Sequence, residues 1–160
     1  RLVVRDGALE LPGVFDDPVL PLKQFAGRLV WQIQPQKAAA GAAAPPPAID
    51  LRLVDAQFAN DDARGELQLR WRTGPGAGRG KGGRYPGIVD VTGRIDQGRA
   101  TSVARYLPAG LPHTRDYLAG AIQSGTVRNA RLRLRGDLAE FPFAQPGRAR
   151  EGEFHVSTQA

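Results

Sequence analysis

Cysteine and methionine are both absent from the 160 residues, and there are only two histidines. Without cysteine the chain can form neither disulfides nor thiolate metal sites. No apolar run approaches the roughly 20 residues that a membrane-crossing helix needs. A chain that lacks methionine and begins Arg1-Leu2-Val3-Val4 is expected to be an excised or processed piece of a longer protein, with any targeting segment elsewhere. The two histidines, His113 and His155, lie far apart, and neither has a carboxylate cluster at ligand spacing beside it. A catalytic triad or a metal site needs its partners within reach, so no catalytic residue, metal or cofactor is expected.

What is present suits a folded chain. Hydrophobic residues make up 41%, enough at this length to bury a core. The formal charge is +6, and all but three of the 22 basic residues are arginine. Such a surplus serves solubility as readily as binding, and the expectation here is a solvated basic surface.

The dominant pattern has period 2. Leu29, Trp31 and Ile33 share one face of a strand over 28–34, and Ile49, Leu51 and Leu53 do so over 49–54. Residues 66–72 alternate without a fault, with Leu67, Leu69 and Trp71 on one side. Val89, Val91 and Ile95 stand opposite Asp90, Thr92, Arg94 and Asp96, and Leu132 and Leu134 alternate with Arg131, Arg133 and Arg135. Alternation sends successive side chains to opposite faces, whereas buried parallel strands read as continuous apolar runs. The pattern therefore predicts antiparallel strands with one apolar and one wet face. Shorter strands are expected at 2–4, 8–11 and 153–158.

Asn60-Asp61-Asp62 reads as a hairpin turn joining strands near 49–59 and 63–73, because Asx side chains bond their own backbone. Asp96-Gln97-Gly98 and Val127-Arg128-Asn129 are further turn or bulge candidates. Two low-complexity stretches, 37–47 and 74–84, are expected to be flexible inserts. One short helix is expected near 112–124. Pro112 or Thr114 would start it, Tyr117, Leu118, Ala121 and Ile122 would form its stripe, and Gly125 would stop it. A helix of that length needs docking, here on the sheet.

Candidates for chemistry fail on context. Asp16-Asp17 and Asp61-Asp62 fall in predicted turns, where aspartate is favoured for its backbone bonding. Gly78-Arg79-Gly80-Lys81-Gly82-Gly83 fits G-x-G-x-x-G, but a dinucleotide site needs a helix to follow and this stretch leads into a strand. Single-strand nucleic-acid binders set stacking aromatics within a basic groove. Here Trp31 and Trp71 lie in the apolar stripes while the arginines alternate away, so no nucleic-acid partner is expected.

The order Arg105-Tyr106-Leu107-Pro108, Tyr117-Leu118, Arg133-Leu134-Arg135-Gly136-Asp137-Leu138, Phe141-Pro142-Phe143 and Gly152-Glu153-Phe154 resembles the central region of the YhdP branch of the AsmA-like family. Tyr117 stands where that pattern has tryptophan. Gly7-Ala8-Leu9-Glu10-Leu11-Pro12 and Phe58-Ala59-Asn60-Asp61 echo the pattern more loosely, and the two inserts are outside it. The resemblance implies a non-catalytic, periplasmic segment of a protein anchored in the inner membrane, with a long β-groove that carries phospholipid towards the outer membrane. On that reading phospholipid acyl chains are the partner. The groove lining would be Leu29, Trp31, Ile33, Leu51, Leu53, Leu67, Leu69, Trp71, Val89, Val91, Ile95, Leu132 and Leu134. The residues alone leave two outcomes open for these apolar faces, closure into a packed core or an open groove. The fold expected is mainly all-β: a single segment over 1–160 forming a curved antiparallel amphipathic sheet, groove-like or an open sandwich, with one short helix.

Overall fold

Seven strands follow one another in a single sheet, and each pairs antiparallel with the next in sequence. They are β1 (Leu2–Glu10), β2 (Val19–Gln34), β3 (Ala48–Ala59), β4 (Ala63–Arg72), β5 (Ile88–Arg99), β6 (Thr126–Asp137) and β7 (Gly152–Gln159). This computed structural model describes residues 1–10, 12, 15–37, 41, 43–107, 112–141, 143 and 152–159. Leu11, Pro108 and Pro142, which belong to the motifs above, lie outside the described residues. So do the side chains of Pro112, Thr114 and Leu118.

The meander is open, as the alternation predicts for strands wetted on one side. Among the described residues no large side chain is fully buried. The buried apolar positions are small or central to the sheet: Ala56 and Ala130, then Val89 and Val91 on β5, with Leu20 and Ala104.

The strands are longer than their alternating stretches. β2 begins at Val19, nine residues before the legible pattern, and carries Pro21 opposite Ala8. Proline cannot donate to a ladder, which hides such a strand from pattern reading. Register shifts interrupt the ladders near Asp55, between β4 and β5 at Arg64/Gly65, and in β6 between Arg128 and Arg131. Asp55 and Asn129 adopt φ of 52° in these bulges, a left-handed conformation that Asp and Asn tolerate. Both bulge candidates read from the sequence, around 96–98 and 127–129, lie at these shifts.

The β3–β4 hairpin turns where predicted. Asn60 Oδ1 accepts from the Asp62 and Ala63 amides at 3.0 and 2.8 Å, the Asx bonding that makes the turn. Between β5 and β6 the chain forms a 3-10 turn (Ala100–Tyr106) and then α1 (Pro112–Ala121). The expected docking of the helix on the sheet does not occur. α1 packs chiefly against the 3-10 turn, and Tyr117 from its supposed apolar stripe is 72% exposed. The reason is composition, because around Tyr117 the helix offers His113, Arg115, Asp116, Ala119 and Gly120, too little apolar surface to hold a sheet. The intervening 3-10 turn, for which the sequence gives no periodic signal, takes that place.

Candidate functional site: the apolar face

Register places all thirteen candidate residues on one face, since residues directly opposed in a ladder point the same way. One row runs Leu29, Leu53, Leu69, Val91, Leu134 and Phe154, one residue from each of six neighbouring strands. A second runs Trp31, Leu51, Trp71, Val89, Gly136 and Gly152. Leu67, Gly93, Leu132 and Val156 form a third, Ile95 pairs Gly65 and Ala130, and Ile33 pairs Ile49. At about 4.8 Å between strands, the six-strand row is an apolar lane about 24 Å long, crossing the strands at right angles.

Cover over this face is uneven. Val89 and Val91 are buried, whereas Leu29, Trp31, Ile33 and Val156 are exposed. At the β6–β7 end, Phe143 lies on the strand backbones. A Cβ on Gly136 would come within 2.8 Å of its ring, and one on Gly152 within 2.2 Å. Only glycine permits that approach. Phe141 meets Phe143 and Phe154 edge-on, with ring centroids 5.7 and 5.5 Å apart. The F-P-F motif thus folds an aromatic cap onto the lane's end.

On β4, Trp71 stacks on Tyr85 at 6.3 Å and donates Nε1–H to the Pro86 carbonyl at 2.9 Å. Gly87, at φ 95°, has no room for a Cβ, which would sit 2.7 Å from Trp71 Nε1. The glycine-rich insert bonds across itself, from Gly74 N–H to the Arg84 carbonyl and from Gly76 N–H to the Gly82 carbonyl. It is joined to the end of β6 through Gly82 N–H to Asp137 Oδ2 (2.8 Å) and Lys81 to Glu140 (2.6 Å). Arg84 donates to the Pro46 and Pro47 carbonyls, so both inserts meet at this rim. As the sequence requires, the insert leads into β5 and not into a helix.

The opposite face is a lattice of charge. Asp50 accepts from Arg70 Nε at 3.0 Å and Arg52 Nε at 3.2 Å. The Arg70 hydrogen bond, against a smaller opposing effect of burial, holds the Asp50 carboxyl below its usual range, with Arg52 adding to the shift. Arg133 binds Asp90 and lies 3.7 Å from Glu153, and Arg135 lies 4.0 Å from Asp90. A cleft of about 470 Å³ opens here beside Glu66, Gln68, Thr92, Arg94, Arg131, Arg133 and His155. Arg131, Arg133 and Arg135 therefore lie on the face opposite Trp31 and Trp71, as the alternation predicts. His113 is exposed in α1, far along the chain from His155 on β7. Among the described residues no three His, Cys, Asp or Glu side chains gather as a metal site would require.

One polar cluster was invisible in the sequence. Asp62 Oδ1 accepts from Ser102 Oγ and Oδ2 from the Tyr106 hydroxyl, both at 2.8 Å, while the same hydroxyl accepts from Asn60 Nδ2 at 2.9 Å. Arg105 bridges Asp62 (3.4 Å) and Asp17 (2.6 Å). Burial raises the Asp62 carboxyl's pKa, but the Ser102 and Tyr106 bonds and the Arg105 and Arg99 charges outweigh it and leave the group below its usual range. Burial, with the Asp62 bond, pushes the Tyr106 hydroxyl up to about 12. The cluster fastens the 3-10 turn to the β3–β4 hairpin. The tyrosine of the R-Y-L-P motif and the aspartate of the turn are thus partners, a pairing across 44 residues that no local pattern announces.

The fold and this site define an open, single-layer antiparallel sheet with one apolar and one ion-paired face. The family model described as YhdP protein matches residues 1–160, and the chain belongs to the YhdP family. No curated protein and no solved structure matches it significantly. None of the described helices is long and apolar enough to cross a membrane.

Proposed function

We propose that this chain is a non-catalytic segment of a lipid conduit in the cell envelope, and that phospholipid acyl chains lie along the apolar lane of β2–β7. The observation that carries this reading is the row Leu29–Leu53–Leu69–Val91–Leu134–Phe154, apolar in every strand it crosses, on a sheet with no second sheet packed over it. Each methylene taken from water contributes about 0.8 kcal/mol, so a chain of ordinary length binds appreciably. A lining without polar breaks presents similar free energy at each step, which lets the chain slide. Membership of the YhdP family supports an envelope role, with this segment in the periplasm, its parent anchored in the inner membrane, and outer-membrane barrier maintenance as the outcome.

A β-module whose apolar faces simply pack together is the competing reading. It requires a second layer, and every described strand belongs to the one open sheet. Lipid extraction of the purified protein discriminates the two. Phospholipid should co-purify with the native chain and be lost from Leu69→Asp, with the fold checked by circular dichroism. Native chain that repeatedly carries no lipid contradicts the conduit.

A further inference from the structure

β1 covers only half of β2. Its ladder runs from Leu2 opposite Gly27 to Glu10 opposite Val19, while residues 28–34 of β2 pair with β3 on their other side alone. Among the described residues, no strand or backbone hydrogen bond occupies the outer edge of Arg28–Gln34. The side chains there are open to solvent: Trp31 is 63% exposed, Ile33 60%, Val30 40% and Leu29 38%. An edge of this kind, with free backbone donors and acceptors and apolar side chains, is a template for another strand.

We infer that this half-edge of β2 pairs with the same half-edge of a second copy of the chain, antiparallel and about a twofold axis through Trp31. The sequence Arg28-Leu29-Val30-Trp31-Gln32-Ile33-Gln34 is self-complementary in that arrangement. Trp31 meets the second copy's Trp31, Leu29 meets Ile33, Val30 meets Gln32 and Arg28 meets Gln34. The three apolar residues of each copy fall on one face, and the only charge in the stretch meets an amide rather than a like charge. The lengths also fit. The slot ends where β1 begins opposite Gly27, and the incoming strand ends at Pro35, which cannot continue a ladder. Joined this way, the apolar faces of two sheets become continuous, whatever lies upon them. Seven residues per copy make an interface smaller than the standard ~1,600 Å², so the association is weak and concentration-dependent.

The absence of native cysteine makes a direct test available. In an antiparallel pair, directly opposed Cα atoms are about 4.5–5.5 Å apart, within disulfide range, whereas a four-residue offset places them about 13 Å apart. Under mild oxidation Trp31→Cys should therefore form a disulfide-linked dimer at least tenfold faster than Leu29→Cys, whose counterpart in the second copy lies four residues away. Sedimentation of the unmodified chain should show a reversible monomer–dimer equilibrium that Trp31→Lys shifts about tenfold towards monomer, since two lysines would face each other across the axis. A chain that stays monomeric at several hundred micromolar, or two cysteine variants that crosslink at equal rates, overturns the inference.

Discussion

Trp31 and Trp71 occupy the same row of the same face, separated only by Leu51, and arise from equally regular alternation. Trp71 is fastened, its ring on Tyr85 and its indole N–H on the Pro86 carbonyl, with Gly87 making room. Trp31 has no such cover and stands 63% exposed. Periodicity therefore assigns a side chain to a face, but cover comes from loops and from neighbouring strands. The difference divides the sheet into a fastened part around β3–β6 and an open part along the outer half of β2.

The largest expected effect sharpens that division. Trp71→Ala should destabilise the chain by about 2–3 kcal/mol in urea unfolding, below the cost at a fully buried site because Trp71 keeps some exposure. Next, Asp62→Ala should cost about 2 kcal/mol, since it strands the Ser102 and Tyr106 donors that hold the 3-10 turn to the hairpin. Trp31→Ala should change stability by less than about 0.5 kcal/mol, as exposed positions do. If the two tryptophan variants lose equal stability, the contrast between fastened and open parts is broken.

Smaller effects come from pH. Asp62 and Asp50 have carboxyl pKa values lowered in the folded chain, so their contribution is present above the unfolded value near 4 and is lost as pH falls through the folded one. Replacing Asp62 with Asn should flatten part of the acid limb of a melting-temperature profile. Tyr106 behaves in the opposite sense. Its folded value, about 12, lies above the unfolded value near 10, so its contribution is present below pH ~10 and lost as pH rises towards the folded value. Tyr106→Phe should remove that part of the alkaline loss and leave the acid limb in place.

Much of the sheet was legible because burial on one side imposes a strict period of 2 on Leu67-Gln68-Leu69-Arg70-Trp71 and its counterparts. The Asn60–Asp62 turn was legible because Asx residues carry their own turn chemistry. The first half of β2 was not, because Pro21 and the mixed run around it show no clean alternation. The Asp62–Tyr106 clamp and the seat of Phe143 on Gly136 and Gly152 depend on segments distant in sequence, which only the folded register brings together. The helix was read where it occurs, but its docking was misjudged because Tyr117 and Ala121 suggested a stripe too weak to hold a sheet.

The central claim concerns which face meets lipid. A photo-crosslinking side chain placed at Leu69 in cells, and separately at its neighbour Gln68 on the opposite face, tests it directly. Phospholipid adducts at Leu69 and none at Gln68 are predicted; equal labelling of the two, or labelling at Gln68 alone, would contradict it.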